Sequence, residues 1–130
     1  MTNKGTIQQI LGSLMKHPQF LSEIDKYSLS ISDFSSKFEK YVFNAINGLW
    51  HNGAQKITVF DVENFLEANA AAKKTFELQN GIEYLQDVEE FSNLENFPMY
   101  YTKLKKLNLL RDLKKQGFDT SDFYMEDLSN

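Results

Sequence analysis

The chain has 130 residues and a net charge of −4, with 42% hydrophobic and 25% charged residues. That is the size of one ordinary domain, able to bury about two-thirds of its unfolded surface and too apolar to be disordered throughout. It contains no cysteine, which excludes a disulfide framework, a thiolate metal site and a cysteine nucleophile, and its acidity argues against binding dominated by nucleic-acid phosphates.

Met1 to Gly5 lack the charged and apolar regions of a secretory signal. No apolar run approaches the roughly 18 residues of a membrane span. Ile7, Ile10, Leu11, Leu14 and Met15 recur at helical spacing, predicting a helix from about Thr6 to just before Pro18. Phe20, Leu21 and Ile24 predict a short second helix. The polar stretch Ser28 to Ser36 carries Ile31 and Phe34 as expected core anchors. Phe38, Tyr41, Val42, Ala45, Ile46 and Leu49 form the strongest helical face, widened by Phe43 and Trp50, with Asn52-Gly53 as its stop. Thr58 with Asp61 three residues on reads as a capping box, opening a helix whose buried stripe is Val59, Val62, Phe65 and Leu66. Lys56 to Phe60 is the best short strand candidate.

Ala68 to Leu78 has high helix propensity. Asn80-Gly81 interrupts it, and Ile82, Leu85 and Val88 begin the next helix. Asn96-Phe97-Pro98 predicts a fresh N-terminus, since proline is tolerated in the first turn; the helix runs to Gln116 and stops at Gly117. The remainder, from Asp119 to Asn130, is acidic, with Phe123, Tyr124 and Leu128 as its apolar content. The expected fold is all-α: a compact multi-helix bundle with a long C-terminal helix. Residues 1–95 form a helical head, and 96–130 the start of a helical hairpin and an acidic tail, within one structural domain.

Charge comes in blocks. Glu77 to Glu95 is acidic without a basic residue, Lys103 to Lys115 is strongly basic, and Asp119 to Asp127 is acidic again. Fold-back of the basic helix onto acidic neighbours accounts for this; so does a surface for a partner.

The chemistry-bearing motifs are missing. There is no G-x-x-x-x-G-K-S/T phosphate loop, no dinucleotide loop and no G-x-S-x-G elbow. His17 and His51 stand apart from each other and from carboxylates at ligand spacing. Each falls at a predicted helix C-terminus, where a donor is favourable. No catalytic, cofactor-binding or metal-binding residue is expected. Leu104, Leu107, Leu110 and Leu113 step backwards around the last helix; with Leu109, Tyr100 and Tyr101 they cover far more than a 100° stripe. Such a helix buries two faces. It is either central to the bundle or packed on another subunit.

The ordered set of motifs resembles the N-terminal domain of DnaB-type replicative DNA helicases, in versions carried by phages and prophages of low-GC Gram-positive bacteria. Ile10-Leu11-Gly12-Ser13-Leu14-Met15 followed by Pro18 resembles the family's opening helix. Phe34 matches its "dF" element; Phe43, Ala45, Ile46, Leu49 and Gly53 match its central helix and following glycine. Ile57-Thr58-Val59 to Leu66, Gly81-Ile82-Glu83-Tyr84-Leu85, and Tyr100-Tyr101 to Leu109-Leu110-Arg111 follow in the family's order. Lys56-Ile57 stands where the family has an acidic residue, and Glu39-Lys40 where it has histidine and arginine. The second half of the family's hairpin is missing, or begins only at 122–130.

The resemblance implies a protein-interaction module of DNA replication and the primosome, not a motor. The family's motor, with its ATP and Mg, lies C-terminal; no cofactor is expected in this segment. Implied partners are further copies (a dimer or higher, a hexamer in the parent), primase and a helicase loader, with DNA reached only through the parent ring, in the bacterial cytoplasm and without a membrane. Tyr100, Tyr101, Leu104, Leu107, Leu110 and Leu113 are the expected inter-subunit strip. The alternatives are a free-standing regulator that binds a helicase, and a single-stranded nucleic-acid binder using Lys103, Lys105, Lys106, Arg111, Lys114 and Lys115.

Overall fold

The computed structural model describes residues 4–115 and Gly117. Among them six α-helices run in order: α1 (Lys4–Lys16), α2 (Lys37–His51), α3 (Val59–Leu66), α4 (Ala70–Leu78), α5 (Gly81–Phe91) and α6 (Phe97–Lys115). Short 3₁₀ turns at Pro18–Ser22, Ile31–Asp33 and Leu94–Asn96 join some of them. No strand forms among the described residues, so the fold is all-α as expected. Lys56 to Phe60 splits instead: buried Ile57 donates its N–H to the Met15 carbonyl at 3.0 Å, and Val59 already begins α3.

Local chemistry sets the boundaries. The Thr58 hydroxyl accepts from the Asp61 N–H at 3.2 Å, and Asp61 Oδ2 accepts from the Thr58 N–H at 2.9 Å. This reciprocal cap satisfies two N–H groups that a helix start otherwise leaves unpaired. Ser36 and Glu39 do the same at α2, which gives a local role to the glutamate that replaces the family's usual residue. Gly53, at φ +103°, follows α2, where a side chain would be strained. Gly117, at φ +89°, sends its N–H to the Lys114 carbonyl just beyond α6.

The first helix is the centre of the molecule. Six consecutive residues, Ile10 to Met15, are all buried. A helix surrounded on every side needs small residues where neighbours come close, and Gly12 and Ser13 are those residues. α1 packs on α5 and α6. α5 and α6 have at most marginal contact with each other, so they flank α1 on different sides. α2 and α3 close the core through Phe38, Val42, Phe43, Ile46, Val62 and Leu66. Phe97 and Leu104 of α6 belong to that same core.

Three apolar residues point outward, among them the expected anchor Ile31. Ile24 is 72% exposed and Ile31 48% exposed, while Phe34, three residues on, is buried. The predicted second helix is only the turn Pro18–Ser22, so Ile24 falls beyond it. Leu78, at the end of α4, is also exposed. The sequence from 118 to 130, including the expected second hairpin helix, lies outside the described residues, as does Gln116.

Candidate interaction surfaces

Segment 28–33 is tied to one face of α6. The Tyr101 hydroxyl accepts from the Ser28 N–H at 2.9 Å. One turn on, Lys105 Nζ reaches both oxygens of Asp33, at 3.0 and 2.9 Å. Another turn on, Asn108 Nδ2 donates to Asp33 Oδ1 and to the Asp33 carbonyl, each at 3.1 Å. Asp33 Oδ2 also accepts from the Ser30 N–H at 2.9 Å. Arg111 then donates to the Ser32 carbonyl at 3.2 Å. Asp33 and Asn108 are both buried, and the carboxylate is saturated by donors from the chain itself. A buried charge persists only when it is paired and hydrogen-bonded in this way.

Neither Asp33 nor Asn108 stood out in the sequence. The available signals were the Ser30-x-x-Asp33 spacing, which matches that of Thr58 and Asp61, and an asparagine four residues after Leu104 on an apolar face.

The expected inter-subunit strip divides. Leu104 is in the core, and Leu107 and Leu110 are buried within the chain. A charge at either of the last two would therefore strike the fold as well as any association. Tyr100, Tyr101 and Leu113 are half-buried. Tyr101 is further engaged by Tyr27, which also sits edge-on to Phe97, while Phe20 stacks on Phe97 at 4.0 Å between ring centres. The apolar side chains that α6 leaves in solvent are Met99 and Leu109, at 55% and 59% exposure.

The basic residues of α6 divide too. Lys105 and Arg111 are held by Asp33 and by the Ser32 carbonyl. Lys103, Lys106, Lys114 and Lys115 are exposed. The basic helix does not pack on α5, because α1 separates the two; its buried partner is Asp33, from the serine-rich segment, and the acidic stretch from Asp119 lies outside the described residues. The histidines stand at helix ends as expected. His51 Nδ1 lies 2.7 Å from the Asn47 carbonyl in the last turn of α2, and His17 follows α1 and packs edge-on to Phe20.

A cleft of about 740 Å³ opens beside the start of α2, with Phe38, Glu39, Leu78 and Tyr84 among its walls. Burial, reinforced by the nearby Glu39 carboxylate and opposed by a hydrogen bond to Gln8, pushes the Tyr84 phenol up from 10.0 to about 12. Unfolded Tyr84 ionises near 10 while the folded residue keeps its proton to about 12, so its contribution is complete below pH 10 and is lost as pH rises through that window. We expect one phenolate to appear late in an alkaline ultraviolet titration and to be missing in Tyr84→Phe. A tyrosinate spectrum complete by pH 11 would contradict this.

The DnaB-like helicase N terminal domain family matches residues 6–106. The SPbeta prophage-derived uncharacterized protein YorI of Bacillus subtilis (strain 168) is 35% identical over 128 residues, which is 98% of this chain. The chain spans about a quarter of that relative's length. No solved structure matches the chain at a significant level. The matched region runs from α1 into α6 and takes in every element of the core, so the chain belongs to the DnaB-like helicase N-terminal domain family.

Proposed function

We propose that this chain is the N-terminal collar domain of a replicative DNA helicase, serving ring assembly and the docking of primase or a helicase loader. The observation that carries the reading is the family match across residues 6–106, joined to a relative four times as long as the region shared with this chain. The extra length leaves room for a motor. The described surface is compatible with an interaction module: exposed Phe60, Phe91, and Met99 with Leu109 lie on three helices, α3, α5 and α6. A few apolar or arginine anchors usually carry such binding.

The test is a titration of the chain with the primase of the same replicon, followed by light scattering after gel filtration. A co-migrating complex is expected. Primase that stays unshifted at about 100 μM chain, a concentration at which even weak contacts register, would overturn the docking role. Labelled single-stranded DNA at low salt should give flat anisotropy, because the chain is acidic overall and Lys105 is already paired with Asp33. Binding that weakens steeply with salt would favour the nucleic-acid reading instead.

A further inference from the structure

Between α2, the turn Ile31–Asp33 and α6 lies a second pocket, of about 400 Å³. Three cations from two helices line it: Lys40 from α2, and Arg111 and Lys115 from α6. Its acids do not balance them. Asp33 is taken up by Lys105, Asn108 and the Ser30 N–H, and Asp112 pairs with Arg111, which leaves Lys40 and Lys115 without a carboxylate among the described residues. The side chains of Lys40 and Lys115 form no ion pair or hydrogen bond among the described residues. Holding like charges together costs free energy that an anionic partner recovers.

The opposite feature stands on α5. Glu83, Asp87 and Glu90 follow at i, i+4 and i+7, which puts them on one face. Glu83, Asp87 and Glu90 are all exposed and carry no ion pair among the described residues. The stripe is about 10 Å long at 1.5 Å per residue. At its C-terminal end Phe91 is 53% exposed and Leu94 36% exposed. They add apolar area to ion pairs that would be weak on their own. Because α1 separates α5 from α6, the stripe cannot enter the pocket of its own chain.

We propose that the acidic stripe Glu83–Asp87–Glu90 of one copy docks against the cationic pocket of Lys40, Arg111 and Lys115 on a second copy. The proposal rests on the assembly reading above and names one seam of it. Stripe and pocket lie on different faces, so the contact is head-to-tail, and it leaves one copy with a free pocket and the other with a free stripe. Repetition of such a contact gives a ring when the rotation closes.

The test uses the chain and two charge-reversed variants in sedimentation velocity, at about 20 mM salt, where screening is weak. One variant carries Glu83→Lys, Asp87→Lys and Glu90→Lys; the other carries Lys40→Glu and Lys115→Glu. All five positions lie on the surface or are half-buried without partners, and circular dichroism checks that both variants fold. The parent chain should associate in a salt-sensitive way, and each variant alone at least tenfold more weakly. An equimolar mixture of the two should recover the parent's association, since each reversed face meets a reversed partner. Either variant associating as the parent does, or a mixture that stays monomeric, overturns the seam while leaving assembly through other surfaces standing. Association lost only on removal of residues 119–130 would make the chain's own acidic end the pocket's occupant and would also overturn it. A parent that is monomeric at every salt concentration overturns the seam too, and a primase complex under those conditions would still support the docking role.

Discussion

Gly12→Ala is expected to destabilise the chain by about 3 kcal/mol, at the upper end of what overpacking a core costs. Propensity alone predicts the reverse, since alanine is favoured over glycine inside a helix by about 1 kcal/mol. The sign turns on the α1–α5 crossing. A Cβ at Gly12 would meet the Val88 carbonyl oxygen and stand 2.7 Å from Ser92 Cβ. The Val88 oxygen is backbone, in the last turn of α5, and cannot swing aside as a side-chain tip would. The crossing is also fastened on either side of the glycine. Gln9 bonds the Phe91 carbonyl and the Asn93 N–H, and Lys16 Nζ bonds the Ser92 carbonyl at 2.9 Å. α5 therefore cannot retreat without losing caps on its C-terminal carbonyls. Gly5, on the same helix, has nothing within 4 Å of its added Cβ, so Gly5→Ala should be neutral or stabilise by up to about 0.5 kcal/mol. Urea unfolding of the two single variants checks both signs. A Gly12→Ala protein as stable as the parent would mean that the helices are not this close.

Asp33→Ala is the second large effect, with an expected loss of about 3 kcal/mol. The carboxylate accepts from Lys105, Asn108 and the Ser30 N–H. Its removal leaves the amide of Asn108, which is only 6% exposed, with the main-chain carbonyl of position 33 as its one remaining partner there, and leaves a lysine without its counter-ion. Lys105 retains 36% side-chain exposure, which lets water recover part of its loss and holds the figure at the low end of the range for broken buried pairs. For the same reason Lys105→Ala should cost only about 1 kcal/mol. Segment 28–33 should then loosen from α6, read as faster proteolysis near Lys26. A loss below about 1 kcal/mol for Asp33→Ala would show that the hub is not what ties the segment down.

Much of the fold was legible because its signals are local. Thr58 and Asp61 cap a helix wherever they stand three apart, and Phe38 to Leu49 repeats at a helix period whatever it packs on. Gly53 and Gly117 end helices through their own backbone freedom. What could not be read were choices made at long range. α1 shows an ordinary apolar stripe, and Gly12-Ser13 reads as neutral until α5 is seen against it. α6 shows an apolar arc wide enough for a central helix or a subunit interface. In the fold part of that arc faces the core and part is buried elsewhere in the chain, while the face carrying Tyr101, Lys105 and Asn108 goes to segment 28–33. The charge blocks invited a fold-back of α6 on α5, which α1 prevents by standing between them. Ile31 was expected inside on hydrophobicity alone, which does not say which residues of an irregular segment turn inward.

The family resemblance and the residue-level reading meet at α1. The Leu-Gly-Ser-Leu-Met run that resembles the helicase domain's opening helix is the run buried on every side. Its glycine sits where α5 comes closest. Structure thus assigns that motif to the architecture of the domain, and leaves the charged and apolar surface of α5 and α6 as the place where partners are to be sought.

The most direct test of the helicase assignment is to sequence the source gene past codon 130. An open frame that reaches a G-x-x-x-x-G-K-S/T motif is the expected result, and would join this domain to an ATP-driven motor. A stop codon at or near Asn130 would contradict it, reduce the kinship to one of fold, and bring the free-standing helicase-binding regulator to the front.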